Sequence, residues 1–186
     1  MKFLNIIIII FLSLTNGIKA ETKQNQILDI LQKGGNLIFI RHAYAPGNGD
    51  PDNFNINDCD TQRNLSDLGR EQSKKIGNFF NENEIPIDFV LSSEWCRCKE
   101  TALIAFNSFE TKNFLNSFYS AKFAGNKKSQ MKNLEKFVNG WNGNNNLVFV
   151  THYVVISEAL DYAPSSGEIV ISDKSFKKIE SIKISY

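Results

Sequence analysis

The sequence has few histidines and cysteines, the residues that typically hold zinc, and it has no large excess of either charge. It contains only two histidines among 186 residues, and neither lies at the spacing from a cysteine that a zinc site requires. Lys and Arg total 21 and Asp and Glu total 20, which gives a formal net charge of +1. A nearly neutral chain has no general attraction for nucleic acid or anionic lipid. We therefore expect no metal, no cofactor and no nucleic-acid partner.

The only long apolar run is at the N-terminus. Lys2 precedes an apolar stretch at residues 6–12, and the segment that follows ends in Ile18-Lys19-Ala20. A membrane span needs about 20 apolar residues, but polar residues interrupt this run from Ser13 onwards. The pattern predicts a cleaved secretory signal peptide over residues 1–20. We expect a periplasmic or secreted protein with no membrane span after cleavage.

Residues 21–186 are enough for one sizeable core and too few for two, so we expect a single domain. Apolar runs typical of buried strands alternate with segments of helical periodicity. The predicted strands cover residues 37–40, 88–91, 147–150, a weaker one at 113–115, and a closing hairpin at 169–171 and 179–184. The predicted helices cover residues 22–33, 66–83, 94–107, 129–140 and 154–162. The alternation predicts an α/β fold, a three-layer sandwich with a mostly parallel central sheet flanked by helices.

Both histidines directly follow a predicted buried strand. The first strand continues into Arg41 and His42, and the strand at 147–150 continues into Thr151 and His152. Ligands of open α/β sheets bind beyond the carboxyl ends of the strands. Arg97 falls in the first turn of a predicted helix, where backbone N–H groups favour an anion. Guanidinium groups match phosphate oxygens, so the pattern predicts an anion site.

The three cysteines allow one disulfide at most. Cys96 and Cys98 are too close in sequence for a bridge between them to be expected, which leaves Cys59 to pair with either one. A bridge would tie the long polar loop at residues 41–64 to the start of the predicted helix. Three buried free thiols are the alternative. Export would favour the disulfide, because disulfides persist in oxidising compartments.

Four short motifs, in order between residue 36 and the end of the chain, resemble those of the histidine phosphatase superfamily, which is also called phosphoglycerate mutase-like. They are Arg41-His42-Ala43, Asn64-Leu65-Ser66 with Gly69 and Gln72, Ser92-Ser93 with Arg97 and Thr101-Ala102, and Thr151-His152. Two positions depart from the family pattern, because Ala43 and Tyr153 both stand where glycine is usual. We expect Tyr153 to narrow the mouth of the pocket.

The resemblance implies a role for each matched residue. His42 would attack phosphorus, Arg41 and Arg97 would hold the phosphate oxygens, and His152 would stabilise the transferring group. Asn48 stands where many family members have an asparagine that touches phosphate. A neutral imidazole is a good nucleophile near pH 7, and a covalent intermediate divides a slow hydrolysis into two easier steps. This chemistry needs no metal.

The resemblance does not supply a proton donor for the leaving oxygen. Larger family members have a glutamate in the segment that corresponds to residues 115–118, where this chain has no carboxylate. The small phosphohistidine phosphatases of the family also lack it. The candidate acids are Asp50, Asp52 and Asp58 in the long loop, with Glu110 as a further possibility. Arg63, at the end of the same loop, is a candidate phosphate ligand.

These residues lead to the hypothesis of an exported, metal-independent phosphatase. Its partner would be a small phosphorylated substrate or a phosphoprotein. Two narrower alternatives are a protein phosphohistidine phosphatase and a phosphatase of lipopolysaccharide sugar phosphates. An alternative from another class of protein is a binding module that holds a phosphorylated ligand and has no catalytic activity. Turnover separates the enzymes from the binding module.

Overall fold

The computed structural model of the chain describes residues 25–186. The predicted signal peptide therefore lies outside the described residues. The described part of the first helix, α1, covers residues 25–33. Within residues 25–186, no helix is both long and apolar enough to cross a membrane.

Within residues 25–186, the fold is built on one six-stranded sheet. Its strands are β1 (Leu37–Arg41), β2 (Ile87–Ser92), β3 (Glu110–Thr111), β4 (Asn146–Thr151), β5 (Ile169–Ser172) and β6 (Lys178–Ile182). They are arranged in the order β3-β2-β4-β1-β5-β6. The first four strands in this order pair in parallel, whereas β5 and β6 add two antiparallel pairings at one edge. The prediction of an α/β fold with a mostly parallel sheet is confirmed.

Helices cover both faces of the sheet. Besides α1, the described part of the chain contains the α-helices α2 (Asp67–Glu82), α3 (Cys96–Phe106), α4 (Lys127–Gly140) and α5 (Tyr153–Leu160). Ile38 and Ile40 of β1 pack with residues of α1, α2 and α3. Leu37 and Phe39 point to the opposite face and pack with residues of α4 and α5. Successive side chains of a strand alternate between faces, so an all-apolar strand fits the middle layer of a three-layer sandwich.

The prediction of a weaker strand at residues 113–115 is wrong. Asn113–Leu115 is a single turn of 3₁₀ helix, and the strand β3 lies just before it. The backbone turns back at this point, because the N–H of Leu115 donates to the carbonyl of Lys112 at 3.0 Å. The turn buries both Phe114 and Leu115 in the core beside α4. Short apolar runs do not distinguish these two conformations.

Contacts with the start of α2 fix the position of the backbone just after β1. Ser66 caps the helix and accepts a hydrogen bond from the N–H of Gly69. Gly69 has no side chain, which lets the backbone of Tyr44 lie directly against the helix. Gln72 accepts a hydrogen bond from the N–H of Tyr44 at 2.9 Å and donates to the carbonyl of Ser166 at 2.8 Å. These contacts hold the segment after β1 between α2 and the C-terminal part of the chain.

We expect Gly69→Ala to destabilise the protein. A Cβ atom at this position would overlap the carbonyl of Tyr44, and overpacking of this kind costs about 1–3 kcal/mol. Chemical denaturation measures the free energy of unfolding. Gly140→Ala is the matched control, because Gly140 is also helical but has open space around it. It should leave stability unchanged or slightly raised. If both variants are as stable as the wild type, the close approach at Gly69 is not required.

Candidate active site

The sheet places the two histidines side by side. β1 and β4 are parallel neighbours, and Arg41 is the register partner of Thr151. The N–H of His42 continues this pairing and donates to the carbonyl of Thr151 at 2.9 Å. The imidazole centroids of His42 and His152 are 5.5 Å apart, and both residues are buried. The structure therefore brings the two predicted imidazoles into one site.

His42 is held as a neutral ring with one free nitrogen. Its Nδ1 lies 2.8 Å from the carbonyl oxygen of Ala43. A carbonyl only accepts, so Nδ1 carries the proton and Nε2 keeps its lone pair. Burial lowers the pKa of His42 well below its ordinary value, and the charge of Arg97 lowers it further. His42 therefore has the charge state and the free nitrogen of a nucleophile at neutral pH.

His152 is oriented by a short chain of hydrogen bonds. Its Nε2 lies 2.9 Å from the hydroxyl of Ser93, which donates to the side-chain oxygen of Asn116 at 3.1 Å. The same oxygen accepts the N–H of Glu94 at 2.9 Å, which fixes the orientation of the amide. Nε2 of His152 is thus the donor in this chain, and an additional proton can only enter at Nδ1. Burial, followed by the charge of Arg97, lowers the pKa of His152 well below its ordinary value.

Asn116 was not singled out from the sequence as a site residue. Its partners Ser93 and Glu94 lie more than twenty residues earlier in the chain. A polar residue beside the buried Leu115 was the one available signal, and it is too common to indicate a role.

Three arginines line a cavity of about 240 Å³ together with the two histidines. Arg97 is almost completely buried. Arg41 donates to the carbonyl of Pro164 at 2.9 Å. Arg63 donates from Nε to the carbonyl of Gly49 at 2.8 Å. Burial and the neighbouring Arg97 lower the pKa of Arg63 to about 10, so this side chain is still charged at neutral pH.

Asp50 lies inside this cationic cluster. Its carboxylate accepts hydrogen bonds from Arg97 at 2.6 and 3.2 Å, from the indole N–H of Trp95 at 3.0 Å and from the backbone N–H of Arg63 at 3.1 Å. Burial alone would raise the pKa of Asp50, but the hydrogen bonds and the charge of Arg97 outweigh burial and lower it. The carboxylate is ionised and both of its oxygens are occupied. This environment favours the charged form of Asp50 over the protonated form that a proton donor needs.

The other predicted acids differ in their distance from the cavity. Asp52 lines it and is exposed, as is Asn48, the predicted phosphate ligand. Asp58 instead caps a 3₁₀ turn by accepting the N–H of Asp60 at 3.1 Å. Glu110 is in β3 and lines a different depression. Asp58 and Glu110 are therefore outside the site, and Asp52 is the remaining loop carboxylate with access to it.

Five aromatic side chains form much of the outer wall of the cavity. They are Phe54, Trp95, Tyr119, Phe123 and Tyr153. Phe54 stacks on Trp95 with centroids 4.9 Å apart, and Phe123 meets both rings edge-on. Tyr153, which was expected to narrow the mouth, lines the cavity and has the guanidinium of Arg41 5.3 Å from its ring centroid.

A disulfide ties the long loop to α3. It joins Cys59 to Cys96, one of the two pairings that the sequence left open, and Cys98 is a buried free thiol. Cys96 is the first residue of α3 and precedes Arg97. Among residues 25–186, no cluster of three or more His, Cys, Asp or Glu side chains is arranged to hold a metal.

Comparison with known proteins identifies related sequences. The model of the histidine phosphatase superfamily (branch 1) matches residues 37–143, a range that ends before His152. The serine/threonine-protein phosphatase Pgam5, mitochondrial, of Drosophila grimshawi is 29% identical over 94 residues. This match covers 50% of the present chain and only 30% of the relative.

Solved structures with the same fold are more distant in sequence. The protein histidine phosphatase SixA complexed with tungstate has a TM-score of 0.55 and 16% identity, covering 81% of this chain and 96% of SixA. TTHB049 from Thermus thermophilus has a TM-score of 0.58 and 15% identity, covering 80% of this chain and 99% of TTHB049. At these identities the likeness supports the fold.

We expect neither histidine to titrate near pH 6.5. Both folded-state pKa values are depressed, so the imidazole resonances of tag-free protein should stay constant between pH 8 and about pH 6. His42→Ala assigns the two signals. The unfolded state binds these protons more readily, so the histidines' contribution to stability is present above about pH 6.5 and is lost as the pH falls below it. A titration midpoint near 6.5 for either ring would contradict this environment.

We expect one free thiol per chain. Burial raises the pKa of Cys98 to about 12, so a thiol reagent should label nothing in the native protein and one thiol after unfolding without reductant. Cys59→Ser should lower the free energy of unfolding by about 2–5 kcal/mol, because the long loop loses its tether to α3. Cys98→Ser is the control and should show no thiol at all. Three thiols in the unreduced protein would remove the tether.

Proposed function

The chain belongs to the histidine phosphatase superfamily, and from this premise we propose that it is an exported phosphatase that works through a covalent phosphohistidine on His42. The observation that carries the proposal is the neutral His42, whose Nε2 is unprotonated and which shares one cavity with three arginines. A nucleophile and its anion site are thereby combined.

The charges of the cavity suit a phosphoryl dianion. Among the side chains that line the cavity, Arg41, Arg63, Arg97 and Lys122 carry formal positive charges, and Asp50 and Asp52 carry formal negative charges. Both histidines are neutral. These groups leave an excess of two positive charges, which a phosphate monoester above its second pKa of about 6 would neutralise. Nε of Arg41 and Nε of Arg97 are also buried donors that have no hydrogen-bond partner among the described residues. An unpaired buried donor destabilises the folded protein. A bound anion would accept hydrogen bonds from these two donors and would also reduce the repulsion between the arginine charges.

The reaction proceeds in two displacements. Nε2 of His42 attacks phosphorus, a P–N bond forms, and the bond from phosphorus to the leaving group breaks. Water then attacks the phosphohistidine, the P–N bond breaks, and inorganic phosphate leaves with His42 restored. The arginines hold the transferring oxygens and stabilise their charge in both steps. In the second step Nδ1 of His152, which the Nε2 contact with Ser93 leaves available, accepts the proton that the attacking water loses. The imidazolium that results stabilises the negative charge of the departing phosphate.

The leaving group needs a proton only if it is a poor one. Asp52 is the carboxylate placed to donate it. A phosphoramidate needs a weaker acid than an alkyl ester, since its nitrogen leaves more readily. The aromatic wall favours a second, narrower candidate function, a phosphatase of protein phosphohistidine, because a flat imidazole leaving group can pack against rings such as Tyr119 and Phe123.

Two further features support the location and the metal independence that we propose. The Cys59–Cys96 disulfide suits the periplasm or the outside of the cell, as does the N-terminal apolar run at residues 6–12. The charges that face the phosphate are side chains of the protein itself, so the mechanism has no step that requires a metal.

We expect wild-type protein to acquire one phosphoryl group that is acid-labile and base-stable when it is incubated with a radiolabelled substrate. His42→Ala should abolish both label and turnover, because the variant lacks the nitrogen that attacks phosphorus. Labelling should persist in excess EDTA. Wild-type protein unfolded before incubation is the control for nonspecific label, and the melting temperature of the variant verifies its fold. Label that survives acid, or that remains in His42→Ala, would contradict the assignment.

A substrate panel identifies the leaving group in the same assay. It contains a phosphohistidine peptide, phenyl phosphate and a sugar phosphate. Preference for the peptide would support the narrower candidate, and preference for the sugar phosphate would contradict it. Saturable phosphate binding without release from any compound would show a binding module instead of an enzyme.

A further inference from the structure

The hydrogen bonds of Arg97 leave only one edge of its guanidinium group available. Arginine has five N–H donors. Nη1 donates to Oδ1 of Asp50 at 2.6 Å and to the carbonyl of Arg63 at 3.2 Å, and Nη2 donates to Oδ2 of Asp50 at 3.2 Å. The two remaining donors are Nε–H and the second N–H of Nη2. They lie on the same edge of the guanidinium plane and form a two-donor fork.

The available edge is buried and has no partner within the described part of the chain. Arg97 is 3% exposed and lines the cavity. Its Nε is one of the buried side-chain donors for which residues 25–186 provide no hydrogen-bond partner. A fork of two parallel N–H groups matches two oxygens of a phosphoryl group. The unpaired edge is therefore suited to the anion that the proposed function requires.

Asp50 is held too firmly to be a mobile competitor for that anion. Besides the two nitrogens of Arg97, it accepts the indole N–H of Trp95 and the backbone N–H of Arg63. Its side chain is only 16% exposed. Moving it would break four hydrogen bonds and leave a buried charge unpaired, which is strongly unfavourable. The carboxylate thus behaves as a fixed part of the site.

We propose that Asp50 is a positioning residue, which occupies the terminal edge of the Arg97 guanidinium and so presents the Nε–Nη2 edge to the transferring phosphoryl group. This role rests on the proposed phosphatase function. It differs from two other roles that a carboxylate in this place could have, namely a general acid and an internal competitor of phosphate. The three roles predict different dependences of kcat on the leaving group and different changes in affinity for inorganic phosphate.

The test compares the wild type with Asp50→Asn on nitrophenyl phosphate, phenyl phosphate and an alkyl phosphate. Asparagine keeps the size of the side chain but has only one side-chain oxygen. Its NH₂ group would face an N–H of Arg97, so one of the two hydrogen bonds to the guanidinium group would be lost. We expect kcat to fall about 100- to 1000-fold, as it does when an oxyanion donor is lost, by the same factor for all three substrates and with a much smaller change in KM. Inhibition by orthovanadate, which mimics the transition state, should weaken more than inhibition by inorganic phosphate.

Two results would overturn the proposal. A loss that is confined to phenyl and alkyl phosphate would show that Asp50 is the acid, because nitrophenolate leaves without a proton. Tighter binding of inorganic phosphate with kcat unchanged would show that Asp50 competes with the substrate. Asp60→Asn is the charge-matched control, since Asp60 is an exposed carboxylate of the same loop that does not line the cavity. It should leave kcat and KM unchanged.

A second variant covers the case in which Asp50→Asn does not fold. Trp95→Phe keeps an aromatic ring but removes one of the four donors to Asp50, so we expect a smaller, roughly tenfold loss of kcat that is again equal for all leaving groups. A loss that depends on the leaving group, or no loss, would count against positioning. Calorimetry of orthovanadate binding measures the loss of affinity for a transition-state mimic directly and does not require turnover. Failure of His42 labelling would therefore contradict the proposed function without deciding the role of Asp50.

Discussion

The parallel pairing of β1 with β4 is the constraint on which the candidate site depends. Both strands end at the same edge of the sheet, and the hydrogen bond from His42 to the carbonyl of Thr151 extends their register by one residue. A slip of one residue would move every side chain of a strand to the other face. Ile38 and Ile40 pack into one core, and Leu37 and Phe39 into the other. The two cores fix the register, and the register fixes the distance between the imidazoles.

Concentrating cations at this edge has an electrostatic cost, which the surrounding groups reduce. The two histidines are neutral because burial and the neighbouring arginines depress their pKa values. Asp50 compensates one guanidinium charge directly. Backbone carbonyls of Pro164, Gly49 and Arg63 accept further N–H groups without adding a negative charge. The site is therefore preorganised for an anion, since little reorganisation is needed when the phosphoryl group enters.

The sequence predicts the parts of the site that depend on regular structure. Buried apolar runs located β1 and β4, and hence His42 and His152 at their ends. The first turn of α3 located Arg97. The positioning role that we propose for Asp50 has no signal in the sequence, because it depends on the path of a loop with no periodic pattern. The choice of Cys96 over Cys98 depends on which way each side chain leaves α3, and Cys98 lies instead 3.5 Å from His152. Both features arise from tertiary contacts.

Asp50 and Asp52 show how environment separates two carboxylates that only Pro51 divides. Asp50 is surrounded by donors that favour its charged form, so it has no proton to give near neutral pH. Asp52 lines the same cavity but is exposed to solvent, and among the described hydrogen bonds none holds its oxygens. A general acid must exchange its proton with water between turnovers, which an exposed carboxyl does readily. We therefore propose Asp52 rather than Asp50 for proton transfer, because Asp52 lines the cavity with its oxygens unoccupied, whereas the oxygens of Asp50 are held by four hydrogen bonds.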